Sequence, residues 1–139
     1  MRISGINFSF ALKLFIKGGR VGYEKQKSCP TSKESGVYVV IKGKREIVYI
    51  GSYQHGIVQR WGTTGTQEVY HFKKDIIRKF LRKHELRVFA QDEKEIKRQL
   101  GQRKNEWVNC QGIESRLIFK HNKKPIWNKL GNSKWSQSK

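Results

Sequence analysis

The chain has 139 residues, and its 30 Lys and Arg against 11 Asp and Glu give a formal net charge of +19. This length suits one domain with a modest core, and so large a cationic excess opposes compaction unless a polyanion meets it. No apolar run approaches the roughly 20 residues of a membrane-spanning helix, so a nucleic acid is favoured over a membrane as the partner. Cys29 and Cys110 form no disulfide framework and no CxxC motif, and the chain is predicted to be cytoplasmic.

Three segments are predicted along the chain. Residues 1–35 form an N-terminal arm, residues 36–130 a compact α+β unit and residues 131–139 a polar tail. Within the arm, apolar residues alternate with other residue types, which favours a strand; they are Phe8, Phe10, Leu12, Leu14 and Ile16.

A β-hairpin is predicted for residues 36–51, GVYVVIKGKREIVYIG, where two β-rich runs flank the polar insert KGKRE. A turn of two or four residues pairs residues whose numbers sum to 87. Tyr38 then lies directly opposite Tyr49, with the Cβ atoms about 5 Å apart. A turn of three or five residues would shift the register and separate the two tyrosines. Because aromatic cross-strand pairs also stabilise hairpins, a purely structural role is the alternative to a reactive pair.

The segments after the hairpin indicate further elements. HGIVQRW predicts a short helix, and QEVYHFKKDIIRKFLRKH predicts a longer helix with one apolar and one basic face. LRVFAQ alternates as a third strand, DEKEIKRQLGQRKNE is partly helical, and WVNCQGIESRLIFKH forms a helix with an apolar stripe. The predicted fold class is therefore α+β, a small three-stranded antiparallel sheet flanked by helices in the order β-β-α-α-β-α, with a short N-terminal extension.

Glu114 falls inside the apolar sector of the helix predicted near the C-terminus. That sector is formed by Trp107, Cys110, Ile113, Leu117 and Ile118. A carboxylate that faces a core is costly unless it is paired or binds a metal. Two interpretations follow: a buried Glu–Arg pair, or a ligand for a divalent cation beside a phosphate.

Five features taken together resemble the GIY-YIG nucleases. They are GVY at 36–38, YIG at 49–51 with ten residues between the two motifs, Arg60, Glu114 and Asn128. The resemblance covers about residues 35–130, and the predicted order of elements matches the small α+β catalytic domain of that family.

The resemblance implies a role for each of these residues. Tyr38 would be the general base or would position the base for the attacking water, and Tyr49 would hold that water or the phosphate. Arg60 would stabilise the pentacovalent phosphate. The alternative is that Arg60 only positions a phosphate and has no catalytic role. Glu114 would be the protein ligand of Mg²⁺ or Mn²⁺, and Asn128 would support the edge of the site.

Two histidines and several cations are further candidates. Many family members carry a histidine one helical turn after the arginine, but this chain has Thr64 there, so His71 and His55 are the alternatives. Six cations are expected to contact DNA: Lys42, Lys44 and Arg45 at the hairpin tip, and Lys74, Arg78 and Arg82 on the basic helix. A solvated turn is the alternative for the tip residues.

The expected function is Mg²⁺-dependent cleavage of double-stranded DNA by a small restriction-type or phage-type endonuclease. Cutting both strands with one such site implies a homodimer or successive nicks. The alternatives are a structure-specific DNA repair nuclease, a catalytically inactive nucleic-acid-binding module on the same fold, and a basic structural protein of the kind found on ribosomes.

Overall fold

The computed structural model describes residues 1–3, 5–62, 69 and 74–101. Its elements in chain order are β1 (Arg2–Ile3), β2 (Ile6–Asn7), β3 (Ser9–Lys17), β4 (Arg20–Lys25), β5 (Gly36–Lys42), β6 (Glu46–Tyr53), α1 (Ile57–Trp61), α2 (Lys74–Leu81), β7 (Leu86–Asp92) and α3 (Glu93–Leu100). Of the helices in this part of the chain, none has the length and apolar composition needed to cross a membrane.

Among the described residues the main sheet has five strands in the order β4-β3-β7-β5-β6, and every neighbouring pair is antiparallel. A separate two-stranded sheet joins β1 to β2. The prediction of a small three-stranded sheet flanked by helices, with a short N-terminal extension, is therefore wrong. Strands β3 and β4 are formed by residues that were assigned to the extension. One edge of β7 pairs with β5, and β3 pairs with the other edge and so satisfies the remaining backbone hydrogen-bonding groups of β7.

The individual strands follow from local composition. The predicted strand near the N-terminus is confirmed as β3, in which Leu12 and Leu14 are buried. The hairpin strands are confirmed as β5 and β6, and LRVFAQ is confirmed within β7. The five residues Val37–Ile41 are all buried, because β5 lies between β7 and β6 with apolar cover on both faces.

The sheet separates two apolar cores. One face, called here the tyrosine face, contributes Tyr38, Val40, Tyr49, Tyr53 and Ala90 to a core that includes Trp61 and Ile77. The opposite face, called the α3 face, contributes Val37, Val39, Ile41, Ile50 and Phe89 to a core with Ile96 and Leu100 of α3. Because side chains alternate along a strand, successive residues of β5 contribute their side chains to the two cores in turn.

Two helices of the described part of the chain, α2 and α3, pack against particular strands. Helix α2 packs against β3 and β4, with Ile77 buried, and α3 packs against β2, β5 and β7. Ile96 and Leu100 are four residues apart on α3 and both are buried, as expected for one face of a helix. The short helix predicted from HGIVQRW is confirmed as α1.

The β3–β4 hairpin extends beyond the rest of the sheet. The pairing of β3 with β7 ends at Lys13 and Arg87, whereas the pairing of β3 with β4 continues to Lys17 and Arg20. The two strands are joined by Gly18-Gly19, with φ of 59° and 77°, the left-handed geometry that a two-residue hairpin turn requires. Leu14–Lys17 and Arg20–Tyr23 thus form a two-stranded ribbon, called here the projecting ribbon.

Candidate functional site

The β5–β6 hairpin places its two tyrosines differently from the expected register. Lys42 pairs with Glu46, so the turn contains three residues, 43–45. A β-bulge follows, because Ile41 pairs with Ile47 but Val40 pairs with Tyr49. The prediction that Tyr38 lies directly opposite Tyr49 is wrong.

The three-residue turn and the bulge at Val48 offset one another. The turn alone would pair Tyr49 with Val39 and direct the two tyrosines to opposite faces. The extra residue in the bulge moves Tyr49 back to the tyrosine face, where the Tyr38 and Tyr49 ring centroids are 5.8 Å apart with planes inclined by 39°. The two rings are therefore diagonal neighbours on one face rather than a direct cross-strand pair.

The two tyrosines differ in their access to solvent. Tyr38 is 0% exposed, and Tyr49 is 9% exposed. Tyr38 is enclosed partly by Trp61, whose ring lies edge-on to it with centroids 5.5 Å apart and an interplanar angle of 77°. Both tyrosines are thus buried, and Tyr49 is the less completely buried of the two.

The final glycine of the YIG motif makes room for this arrangement. Gly51 pairs with Tyr38 across the hairpin, and a Cβ at position 51 would lie 2.6 Å from both Cζ and the hydroxyl oxygen of Tyr38. It would also lie 2.8 Å from Cε2 of Tyr49. A glycine is therefore needed where the two rings converge.

Helix α1 carries Arg60 beside the tyrosine face. The helix begins after Gly56, whose φ is 94° and whose backbone N–H donates to the carbonyl of Glu34 at 3.0 Å. Trp61 is completely buried and fixes the helix against Tyr38. Arg60 precedes Trp61 by one residue, about 100° around the helix, and is half-buried.

A hydrogen-bonded network lies at one end of the tyrosine face. The Tyr53 hydroxyl donates to Oδ1 of Asp92 at 2.8 Å, and the Ser32 hydroxyl donates to Oδ2 at 2.6 Å. This network ties the β4–β5 connection to the ends of β6 and β7. Sequence analysis missed it, although Tyr49 and Tyr53 are four residues apart on one strand and therefore share a face.

Two acidic groups beside this network stay protonated to higher pH than usual. Burial raises the pKa of the Cys29 thiol; the Lys25 ammonium opposes this effect and the Asp92 carboxylate adds to it. Burial also raises the pKa of the Tyr23 phenol, and the neighbouring Cys29 adds to that shift. The Cys29 thiol donates to the carbonyl of Pro30 at 3.4 Å, as a protonated thiol does.

The cations predicted at the hairpin tip lie at one end of the sheet. Lys44 and Arg45 are exposed in the turn. Lys42 instead forms an ion pair with Glu46, with Nζ and Oε1 3.1 Å apart. Arg87 holds the turn by donating through Nη2 to the carbonyls of Gly43 and Lys44, at 2.9 and 3.0 Å.

The cations predicted on the basic helix lie on and just after α2. Lys74 is the first residue of α2. Arg78 is half-buried and pairs with Asp75, with Nη1 and Oδ1 3.3 Å apart, and Arg82 is exposed. The connection from α2 to β7 reaches the hairpin turn, because the backbone N–H of Gly43 donates to the carbonyl of Glu85 at 2.9 Å.

Three basic segments therefore meet at the same end of the sheet, called here the basic end. They are the tip of the projecting ribbon, the β5–β6 turn and the α2–β7 connection. Their exposed cations are Lys17, Arg20, Lys44, Arg45, Arg82 and Lys83. Sequence analysis missed Lys17 and Arg20 as contact candidates, since only the sheet topology brings them beside the other four.

Other predicted site residues lie elsewhere. His55 is exposed in the segment before α1. Glu114, Asn128 and His71 lie outside the described residues, so their proposed roles stay predictions. Within the described ranges, no three His, Cys, Asp or Glu side chains come together as a metal site.

Comparison of the chain with family models, with curated proteins and with solved structures finds no match. Its function is therefore inferred from its own residues: a tyrosine pair on one sheet face, an arginine on the adjacent helix, and a basic end on the same sheet.

Proposed function

We propose that this protein is a metal-dependent DNA endonuclease of the GIY-YIG type. The observation that carries the proposal is the convergence of Tyr38 and Tyr49 on one face, with ring centroids 5.8 Å apart, beside the helix that bears Arg60. A hairpin needs neither two tyrosines on one face nor a glycine beneath their rings. A phosphodiester site uses such groups, because phosphoryl transfer depends mainly on positioning and on charge stabilisation.

The two tyrosines take different roles in this proposal. Tyr49 is the less completely buried of the two, so in this proposal its hydroxyl contacts the phosphate or the attacking water. Tyr38 is fully enclosed by Trp61 and by the backbone at Gly51, so it acts as a positioning residue that fixes the ring of Tyr49. A free phenol has a pKa near 10, so a general-base role requires a nearby cation that stabilises the phenolate.

Arg60 supplies the positive charge of the site. Its guanidinium can donate two parallel hydrogen bonds to the non-bridging oxygens of a phosphate, and these bonds strengthen as negative charge develops during attack by water. Arginine suits this role better than lysine, because its planar fork matches phosphate geometry.

The predicted metal ligand is Glu114. Both carboxylate oxygens of Asp92 accept hydrogen bonds from Tyr53 and Ser32, so Asp92 is already engaged at its end of the tyrosine face. Carboxylate oxygen is the donor that Mg²⁺ prefers. A cation held by Glu114 would neutralise charge on the phosphate.

The substrate is expected to be double-stranded DNA. A net charge of +19 favours a polyanion through counterion release, and the basic end gathers six exposed cations. Because one site cuts one strand, a double-strand break requires a homodimer or two successive nicks.

Conversion of supercoiled plasmid to nicked and linear forms tests the proposal. We expect nicking by wild-type protein with Mg²⁺ and none with EDTA. Tyr49→Phe removes one hydroxyl and is expected to reduce the nicking rate at least about 100-fold. Tyr53→Phe is the matched control, because it removes a hydroxyl from the same strand and face, where that hydroxyl bonds Asp92. If no divalent metal supports nicking by the wild-type protein, the enzyme proposal is wrong.

A catalytically inactive DNA-binding module is the second candidate, favoured by the complete burial of Tyr38. In that case both tyrosines serve only the core, and Tyr38→Phe and Tyr49→Phe leave all measurable properties except stability unchanged. Glu114→Ala separates the two candidates further. An endonuclease loses nicking and keeps DNA affinity, whereas an inactive module shows no nicking before or after the change.

A further inference from the structure

The projecting ribbon has one covered face and one open face. Leu14, Val21 and Tyr23 are buried in the core of the tyrosine face, and helix α2 packs on this side. The backbone N–H of Val69 donates to the carbonyl of Val21 at 2.9 Å, which also holds the ribbon from that side. The ribbon is therefore anchored where it leaves the sheet.

The open face of the ribbon is cationic. Lys13, Phe15 and Lys17 alternate with the buried positions of β3, and Arg20 lies opposite Lys17. Lys13, Lys17 and Arg20 are exposed, and Phe15 is half-buried. Lys13 lies just before the ribbon, opposite Glu24. Residues 14–23 contain no acidic residue, and Lys17 forms no ion pair with another residue that the structure describes.

The tip of the ribbon carries a like-charge pair. Lys17 and Arg20 are direct cross-strand partners, and like charges directly opposite one another destabilise an antiparallel pair. Nothing lies within 4 Å of a Cβ built on Gly18 or Gly19, so a ligand has open access to the backbone of the turn. A bound polyanion would attract both cations.

The described acids at this end of the sheet are engaged with cations other than Lys17. Glu46 is paired with Lys42 at 3.1 Å, and Glu85 lies 3.6 Å from Nε of Arg87. The exposed cations of the ribbon tip, the β5–β6 turn and the α2–β7 connection therefore outnumber the acids described at this end.

We propose that the projecting ribbon is a duplex-DNA-binding element that enters the major groove and places Lys17 and Arg20 on the phosphates at its walls. A two-stranded ribbon fits the major groove, which is about 12 Å wide, because its strands are only about 4.8 Å apart. Lys44, Arg45 and Arg82 then contact the backbone next to the groove. The identity of the partner rests on the proposed function, but the binding itself does not require cleavage.

Fluorescence anisotropy with a labelled DNA duplex in EDTA measures binding without cleavage. For Lys17→Gln/Arg20→Gln we expect duplex affinity to fall about tenfold near 0.1 M salt and the salt slope to decrease by about 2. The matched control is Lys27→Gln/Lys33→Gln in the β4–β5 connection, which removes the same charge from exposed positions at the opposite end of the sheet. It is expected to change affinity less than about twofold.

Folding of the ribbon variant is checked by thermal unfolding. Its melting temperature should stay close to that of wild type, because both substituted side chains are exposed. Equal losses of affinity in the ribbon and control variants would mean that only net charge matters, and would overturn the proposal. A ribbon variant that loses affinity for single strands or RNA and keeps its duplex affinity would also overturn it.

A competition experiment tests the groove assignment. Methyl green, which occupies the major groove, should displace wild-type protein, and distamycin, which occupies the minor groove, should not. The reverse pattern would overturn insertion into the major groove.

If the protein binds the duplex through the ribbon but nicks no plasmid, only the endonuclease proposal is wrong. If wild-type protein nicks plasmid but the ribbon variant keeps its DNA affinity and its salt slope, only the ribbon proposal is wrong.

Discussion

Tyr38 of β5 lies directly opposite Gly51 of β6, and its phenol ring fills the space that a side chain at position 51 would need. The ring is held there from a second side by Trp61. Because Tyr49 approaches the same point from two residues earlier on β6, one glycine controls the spacing of both rings. The two rings can thus pack in the proposed site only if the last residue of YIG is a glycine.

Gly51→Ala is expected to destabilise the fold and disturb the site together. Its Cβ would lie 2.6 Å from the Tyr38 ring, and overpacking of this kind costs about 1–3 kcal/mol. Urea unfolding measures the stability, and plasmid nicking measures the site. Ser52→Ala is the control, because Ser52 is half-buried and points to the other face. If Gly51→Ala keeps wild-type stability, the close approach of Tyr38 is contradicted.

Arg60→Lys is expected to separate charge from hydrogen-bonding geometry. Lysine keeps the positive charge but cannot donate the paired hydrogen bonds of a guanidinium, so nicking should fall about tenfold or more while duplex affinity changes less than about threefold. Gln59→Ala, at an exposed neighbouring position, controls for damage to α1. Equal losses of nicking and affinity would instead assign Arg60 to general phosphate binding.

Tyr53→Phe is expected to weaken the link between β6 and Asp92. It removes the 2.8 Å hydrogen bond to Oδ1, and a hydrogen bond to a charged acceptor contributes about 1.5–3 kcal/mol. Urea unfolding of Tyr53→Phe, Asp92→Asn and the double variant gives the coupling energy. Coupling near zero would show that the two side chains contribute independently.

Stability is expected to fall at alkaline pH because of Cys29 and Tyr23. Burial raises the pKa of both groups in the folded state. The unfolded chain therefore loses these protons first, near pH 8.5 for the thiol and near 10 for the phenol. Their stabilising contribution is complete below those values and is lost as pH rises through the folded pKa.

Urea unfolding at several pH values measures this dependence. Cys29→Ala should flatten the decline that begins above about pH 8.5, and Tyr23→Phe should flatten the part above about pH 10. Parallel pH profiles for wild type and Cys29→Ala would contradict the role of the thiol.

The hairpin shows how far the sequence alone could be interpreted. Alternation and β-propensity correctly predict β5 and β6, but the turn length cannot be read from KGKRE, which suits a two-, three- or four-residue loop. The bulge at Val48 carries no sequence signal, because Val48 is as apolar as its neighbours and is buried among them. The shared face of Tyr38 and Tyr49 emerges because the three-residue turn and the bulge each shift the register by one.

The sheet edge illustrates a second limit. Local pattern predicts β3 as a strand but not its partner, since its pairing with β7 joins residues more than 70 positions apart. The same non-local pairing places the ribbon tip and the β5–β6 turn at the same end of the sheet. The sequence shows Lys17 and Arg20 as basic residues but does not show that they share this end with Lys44 and Arg45.

The alternation along β5 has a consequence for how this protein can change. Val37, Val39 and Ile41 fill the core under α3, while Tyr38 and Val40 face the proposed site. Substitutions on the α3 face can therefore change stability without replacing any residue of the proposed site, whereas substitutions on the tyrosine face change both.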